Sequence, residues 1–297
     1  MIGHGTILGG VATTPDLEGS LRDYHDVLGL ECVERGVLGD LAAAWGAPGL
    51  REARCATLRP GSGEHCFLRL VEQPAVPGYR PVSSFGWNAY ELSVQDVFGW
   101  PARLGQSSFT VVGEPREIPG LPYFVAMQMV GRGGEMIYLN EVRCDTPTSD
   151  LHRAASPVDR IFICILATPD LGGTVAWYRD GLGLDEGGAY EIPYSMINRS
   201  FGLPEATLHR LAMVQKGRMP IVEVDAYPEA ATARTIPEGL LPPGNALVTL
   251  AVRDLDALGL EWLGPPARRE GPVYAGARAG VVRGPAGELL ELVERAI

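Results

Sequence analysis

Two glutamates sit where their chemistry could matter. Glu223, in KGRMPIVEVDAY, stands between Val222 and Val224, and Glu291, in GPAGELLELVERAI, stands between Leu290 and Leu292. Alternate side chains of an extended chain point to opposite faces, so each carboxylate lies on the side of its strand away from two apolar neighbours. A strand with one solvated face gives the same pattern. Brought together in an apolar interior, the two must share a proton, bind a cation or pair with a base, because unneutralised charge is costly there. The first outcome is acid/base chemistry and the second a metal centre.

Among the five histidines, only His209 is placed to join Glu223, on a strand that should pair with the one carrying it. Its direction depends on register. A two-residue turn at Gly217-Arg218 puts Arg210 and Ala212 on the face of Glu223, whereas a three-residue turn puts His209 and Leu211 there, since a slip of one residue reverses every side chain. Tyr190, Tyr194, Asn198 and Arg210, in YEIPYSMINRSFGLPEATLHR, are candidate substrate contacts, with ordinary packing as the plainer reading of each.

The elements that must position these residues are written twice. TPDLEGSLRDYHDVLGL returns as TPDLGGTVAWYRDGLGL, so that Thr14, Asp16, Tyr24 and Gly29 match Thr168, Asp170, Tyr178 and Gly183 at one constant spacing, and WGAPGLREARCATLRPG returns as FGLPEATLHRLAMVQKG. The halves are copies. A weaker repeat inside each half gives four modules, starting near residues 7, 86, 159 and 245. In each, a β-branched strand, a Pro-Asp-like helix start closed by Leu-Gly, and three strand-like runs with glycine turns predict βαβββ. Asp16 and Asp170 are expected N-caps. VRCDTPTSDLHRAASP is expected to be an inter-domain linker.

Composition narrows the partners. A chain of 297 residues, 46% apolar and 21% charged, fits a soluble globular protein of one large or two ordinary domains. The net charge of -11 and the lack of a basic cluster argue against nucleic acid and anionic membrane surfaces. The five cysteines are odd in number and form no CxxC pair, which reads as reduced thiols of a cytoplasmic protein. Neither a signal peptide nor a transmembrane run is expected.

The order of strand, PDL, Trp177-Tyr178, LGL, Gly-Leu-Pro and a hairpin ending in an ELVE-like strand resembles the vicinal oxygen chelate superfamily of glyoxalase I, bleomycin-resistance proteins and extradiol dioxygenases. The resemblance runs from about residue 7 to residue 294. It implies an α+β fold of four βαβββ modules paired into two cup-shaped mixed-sheet domains, here 1–142 and 158–297 with a linker at 143–157. It also implies one first-strand and one last-strand metal ligand from each module. Those positions land on Gly9, Ala89, Ile163 and Leu247, and on Arg69, Tyr138, Glu223 and Glu291. No metal is expected in the N-terminal cup, where Arg69 opposes a cation. In the C-terminal cup, Glu223 and Glu291 are the only metal-ligand candidates. With water they would hold magnesium or calcium weakly, and they lack the imidazole that transition metals recruit. The expectation is therefore an enzyme of lyase or isomerase type in the C-terminal cup. Glu223, Glu291 and His209 would be its acid/base groups, and Ile163 and Leu247 would form an apolar floor for a small, hydrophobic, aromatic metabolite. A non-catalytic binding or resistance protein is the alternative, and a metal-dependent, dioxygenase-like enzyme with unusual ligands is a second. Each half is expected to hold a complete cup, so monomer and homodimer both remain open.

Overall fold

A computed structural model describes residues 2–118 and 121–296; Met1 and Ile297, the outer ends of the two expected domains, lie outside them. Module one comprises β1 (Ile7–Thr14), α1 (Leu17–Arg22), β2 (Glu31–Val37), α2 (Asp40–Ala44), β3 (Arg54–Arg59) and β4 (Phe67–Glu72). Module two comprises β5 (Gly86–Val94), α3 (Trp100–Leu104), β6 (Thr110–Ile118), β7 (Leu121–Val130) and β8 (Met136–Val142). Module three runs through β9 (Val158–Thr168), α4 (Leu171–Leu182), β10 (Asp185–Pro193), α5 (Ser195–Phe201), β11 (Leu208–Lys216) and β12 (Met219–Ala226). Module four has β13 (Asn245–Val252), β14 (Gly264–Arg268), β15 (Arg278–Arg283) and β16 (Leu289–Glu294).

The Pro-Asp starts behave as expected in modules one and three, where Asp16 accepts from Gly19 N at 2.9 Å and Asp170 from Gly173 N at 3.0 Å. Modules two and four differ. Asp96 adopts a left-handed backbone, φ 53°, and caps nothing, and the chain after Asp254 forms turns rather than a helix. The βαβββ expectation therefore fails for module four. DLDALGLEWLG meets glycine and proline before a helix can develop, and nucleating so short a helix is unfavourable.

The modules pair across the repeat. One eight-stranded sheet runs β14-β15-β16-β13-β1-β4-β3-β2 and joins modules one and four; the other runs β10-β11-β12-β9-β5-β8-β7-β6 and joins modules two and three. Antiparallel contacts of β1 with β13 and of β5 with β9 close the two joins. This corrects the expectation of one cup per half. Residues 143–157 connect two modules of the same sheet, and the crossings between sheets are the proline-rich segments 73–85 and 227–244. The crossings run side by side. Phe85 N donates to Thr232 O at 2.9 Å, and the Gln73 amide both donates to Leu241 O and accepts from Leu241 N, each at 3.1 Å.

The sheets pack through their inner faces into a shared apolar core that includes Tyr90, Leu92, Leu166, Val224, Leu250 and Leu292. The Tyr90 hydroxyl lies 2.7 Å from Val11 O and 2.9 Å from Leu247 O in the other sheet. Gly10 permits this approach, because a Cβ there would meet the Tyr90 ring at 2.8 Å. Two buried tyrosine–glutamate pairs repeat the symmetry: Tyr24 donates to Glu135 at 2.9 Å and Tyr178 to Glu288 at 3.0 Å. Burial raises both carboxyls to about 7. Among the described residues no helix is long and apolar enough to cross a membrane.

Candidate functional site

Because modules pair one with four and two with three, Glu223 and Glu291 stand in different cups. In the cup of modules one and four, the Glu291 carboxylate accepts from Trp45 Nε1 at 2.9 Å, Thr249 Oγ1 at 2.9 Å and Tyr274 OH at 3.0 Å. The Arg69 guanidinium donates to Thr57 Oγ1 at 2.9 Å, Glu34 Oε2 at 3.0 Å and Tyr274 OH at 3.4 Å, and lies 5.8 Å and 5.7 Å from the Trp45 and Tyr274 ring centres. Here Trp45, carried in by α2, and Tyr274 fill the cup. Leu247 packs in the apolar cluster with Trp45 and does not meet Ile163. Gly9 has no room for a side chain, since a Cβ would come within 2.2 Å of Phe67 O. Burial raises the Glu291 carboxyl despite its donors and the nearby Arg69 charge. Every oxygen of Glu291 is occupied within the protein, so the expectation that it serves as a ligand or acid/base partner of Glu223 is corrected.

The cup of modules two and three is open. Two adjoining pockets of about 90 and 80 Å³ share Glu91, Leu121, Phe124, Ile192 and Glu223. One lobe is the more polar of the two, with Gln128, Tyr138, Asn140, Tyr194 and, at its mouth, Arg116 and Ser195. The other lobe is more apolar, with Ile163, Leu151, Tyr190, Leu211 and Met213. Residues 146–151 of the expected linker form one wall of it. That segment is held down where Asp150 N donates to Arg218 O at 2.8 Å and Arg218 Nε donates to Asp150 Oδ1 at 2.6 Å.

Two carboxyls stand at the floor, and a third lies buried beside one of them. Glu223 lies on β12 beside Ile165 of β9, and it accepts from Tyr194 OH at 3.1 Å. Glu91 lies on β5 opposite Ile163 and accepts from Asn140 Nδ2. Asp225, two residues beyond Glu223 on the same face, is 1% exposed. Its two oxygens have no partner as a carboxylate; protonated, it donates to Glu223. Burial raises Glu223 to about 7. Burial, reinforced by the repulsion of Glu223, holds Glu91 and Asp225 well above the usual carboxylate range. Low dielectric and like charge act in the same direction, so the group retains protons at neutral pH.

Sequence reasoning missed Glu91, Asp225 and Asn140. Counting back from Asp96 gave Ala89, one pleat from Glu91, which packs with Ile165 and Met196. The signal that singled out Glu223, an acid between apolar neighbours on a strand, also marks Glu91 between Tyr90 and Leu92.

The register of His209 resolves in an unexpected way. The turn has two residues, with Lys216 opposite Met219, but a bulge between Val214 and Gln215 shifts the ladder so that Met213 faces Glu223 and Leu211 faces Asp225. His209 therefore shares the concave face, and Arg210 points away and is exposed. The His209 ring nevertheless spends itself on α5. Asn198 Nδ2 donates to Glu205 O at 2.9 Å and Thr207 O at 3.1 Å, so its Oδ1 accepts from His209 Nε2–H at 2.7 Å. Burial lowers the imidazole's pKa, keeping it neutral. His209 and Asn198 anchor the helix, and neither lines the two pockets; Arg210 is also absent from them. Tyr190, Tyr194 and Ile163 do line them.

The donor set does not fit a catalytic transition metal. No imidazole or thiolate lines the two pockets, Tyr138 stands at one last-strand position, and among the described residues no three His, Cys, Asp or Glu side chains converge on a point.

Among solved structures, the chain is similar to glyoxalase I from Zea mays, at 16% identity over 97% of this chain and 92% of that one with a TM-score of 0.64. It is similar to a putative dioxygenase from Bacillus subtilis subsp. subtilis str. 168, at 12% identity over 99% and 86% with a TM-score of 0.64. No family model matches the sequence, and no curated protein matches it. The chain shares the fold of these two structures, a two-sheet α+β architecture of the kind that the sequence motifs implied.

Proposed function

We propose that the cup of modules two and three binds a small hydrophobic molecule and moves a proton on it, as a lyase or isomerase would, with Glu223 as base and Glu91 as acid. The observation carrying this reading is that Glu91 and Glu223 border both lobes of one open cleft, with no basic side chain beside them on the floor. Two interacting carboxyls of unequal environment divide the roles of acid and base. Glu223, near 7, is available as a base at neutral pH, while Glu91 keeps its proton. Tyr194 steadies the ionised form of Glu223 through its hydroxyl. The apolar lobe around Ile163 and Met213 accounts for a hydrophobic, aromatic body. The runner-up, a binding protein without turnover, draws support from the same apolar lobe.

The test is to incubate small aromatic carbonyl compounds with the protein in deuterated water and follow carbon–hydrogen exchange by NMR. Exchange that depends on Glu223 and Glu91 is the expected result. Binding without exchange moves the assignment to the runner-up. Unchanged exchange and unchanged affinity in Glu223→Gln and Glu91→Gln would sink both roles.

A further inference from the structure

We infer that the occupant of this cup carries a protonated amine, seated between Glu91 and Glu223 with its apolar body in the Ile163–Met213 lobe; this rests on the reading of the cup as the ligand site.

Two kinds of geometry point to a donor-rich cation. The floor holds two carboxyls, Glu91 and Glu223, and among the described residues the only cation lining either pocket is Arg116, exposed at the mouth and bound to Ser195 Oγ. The unpartnered atom at the cleft is also an acceptor. Asn140, 0% exposed and lining the cleft, gives its Nδ2 to Glu91 and leaves Oδ1 without a donor. A buried acceptor without a donor is expensive, and an ammonium group supplies three donors with the opposite charge. Tyr138, Tyr190 and Tyr194 line the same cleft, and aromatic rings favour a cation placed against them. The other cup reveals the contrast. There Arg69 comes from the protein itself and Glu291 is fully bonded, so nothing is left for a ligand to neutralise.

Pairing one carboxyl with the ammonium leaves the other free to move a proton, so the inference is compatible with acid/base chemistry. It also distinguishes this cleft from one built for an anion, for which Arg116 would be the anchor.

The experiment compares benzylamine, benzyl alcohol and benzoate, which share a ring and differ in charge, by calorimetric or NMR titration of the full chain. Benzylamine should bind about tenfold or more tightly than benzyl alcohol, the value of one buried charge-assisted hydrogen bond. Glu223→Gln and Glu91→Gln should erase that preference, with circular dichroism showing that the variants are folded. Equal affinity for amine and alcohol overturns the inference and leaves the cup standing as a ligand site. Preference for benzoate that is lost in Arg116→Ala overturns it in favour of an anion. If none of the three binds, the cup fails as a site for small aromatic molecules and the inference fails with it.

Discussion

Arg69 on β4 and Glu223 on β12 occupy equivalent places in the two halves, and each faces the interior of a cup. Reversing the charge at this one position separates the fates of the cups. Arg69 is drawn into a hydrogen-bonded chain through Tyr274 to Glu291, closed over by Trp45. Glu223 has no such base and meets the hydroxyl of Tyr194, itself 3.4 Å from that of Tyr138. The filled cup is a structural partner, and the open one keeps unpaid charge at its floor, where a ligand can be used to neutralise it.

Glu291 should therefore matter to stability and not to ligand binding. Glu291→Ala strips an acceptor from Trp45, Thr249 and Tyr274 and leaves Arg69 with less compensating charge, a loss of about 3–5 kcal/mol in urea unfolding. Ligand affinity in the other cup should stay within twofold of the unaltered chain. A drop in affinity without a drop in stability would contradict the separation of the two glutamates.

Much of this arrangement was legible in the sequence. The TPDL and LGL motifs marked the repeat and its caps, and Glu223, Tyr190, Tyr194 and Ile163, singled out from the sequence, all line the two pockets. Module pairing was not legible, because local periodicity specifies a strand's faces and says little about which distant strand it joins. The proline-rich segments 73–85 and 227–244, at matching places in the repeat, were the available sign of a crossing between sheets; the Ser/Thr-rich segment at 143–157 drew the boundary instead. Glu91 was lost because Asp96, used as a landmark, does not cap a helix. The direction of His209 was left open because it is set by a bulge, which no turn-length rule anticipates.

The pH dependence of stability should run opposite to that of a protein held by ion-paired carboxylates. Glu135 and Glu288 have an ordinary value of 4.5 and are raised to about 7 in the fold, mainly by burial. Between those values the folded chain holds more protons than the unfolded one, so this contribution is fully present below about 4.5 and is lost as pH rises through 7. Urea midpoints measured from pH 5 to 8 should fall across this window. Glu135→Gln with Glu288→Gln should flatten that part of the curve, and an unchanged slope would remove these groups as its source.

His209→Ala should act on α5 rather than on proton transfer. It leaves Asn198 Oδ1 without its donor in a buried place, at a cost of about 1–3 kcal/mol in stability. Affinity should weaken as the helix bearing Met196 loosens at the wall of the polar lobe. The pH inflection of activity should stay where Glu223 sets it. A shift of that inflection in His209→Ala would instead make the imidazole part of the acid/base group.

Tyr194→Phe tests the assignment of the base most directly. If Glu223 removes the proton, kcat/KM rises with pH through about 7, because the carboxylate must be ionised to act. The Tyr194 hydroxyl, at 3.1 Å, favours that ionised form and holds the value below what burial alone would impose. Removing it should move the inflection upward by about one unit, the equivalent of one lost hydrogen bond, and lower the rate at neutral pH more than the rate at high pH. Glu223→Gln should abolish the inflection altogether. A Tyr194→Phe profile that is depressed evenly, with the inflection unmoved, would mean that the tyrosine contacts the ligand and that a group other than Glu223 sets the pH response.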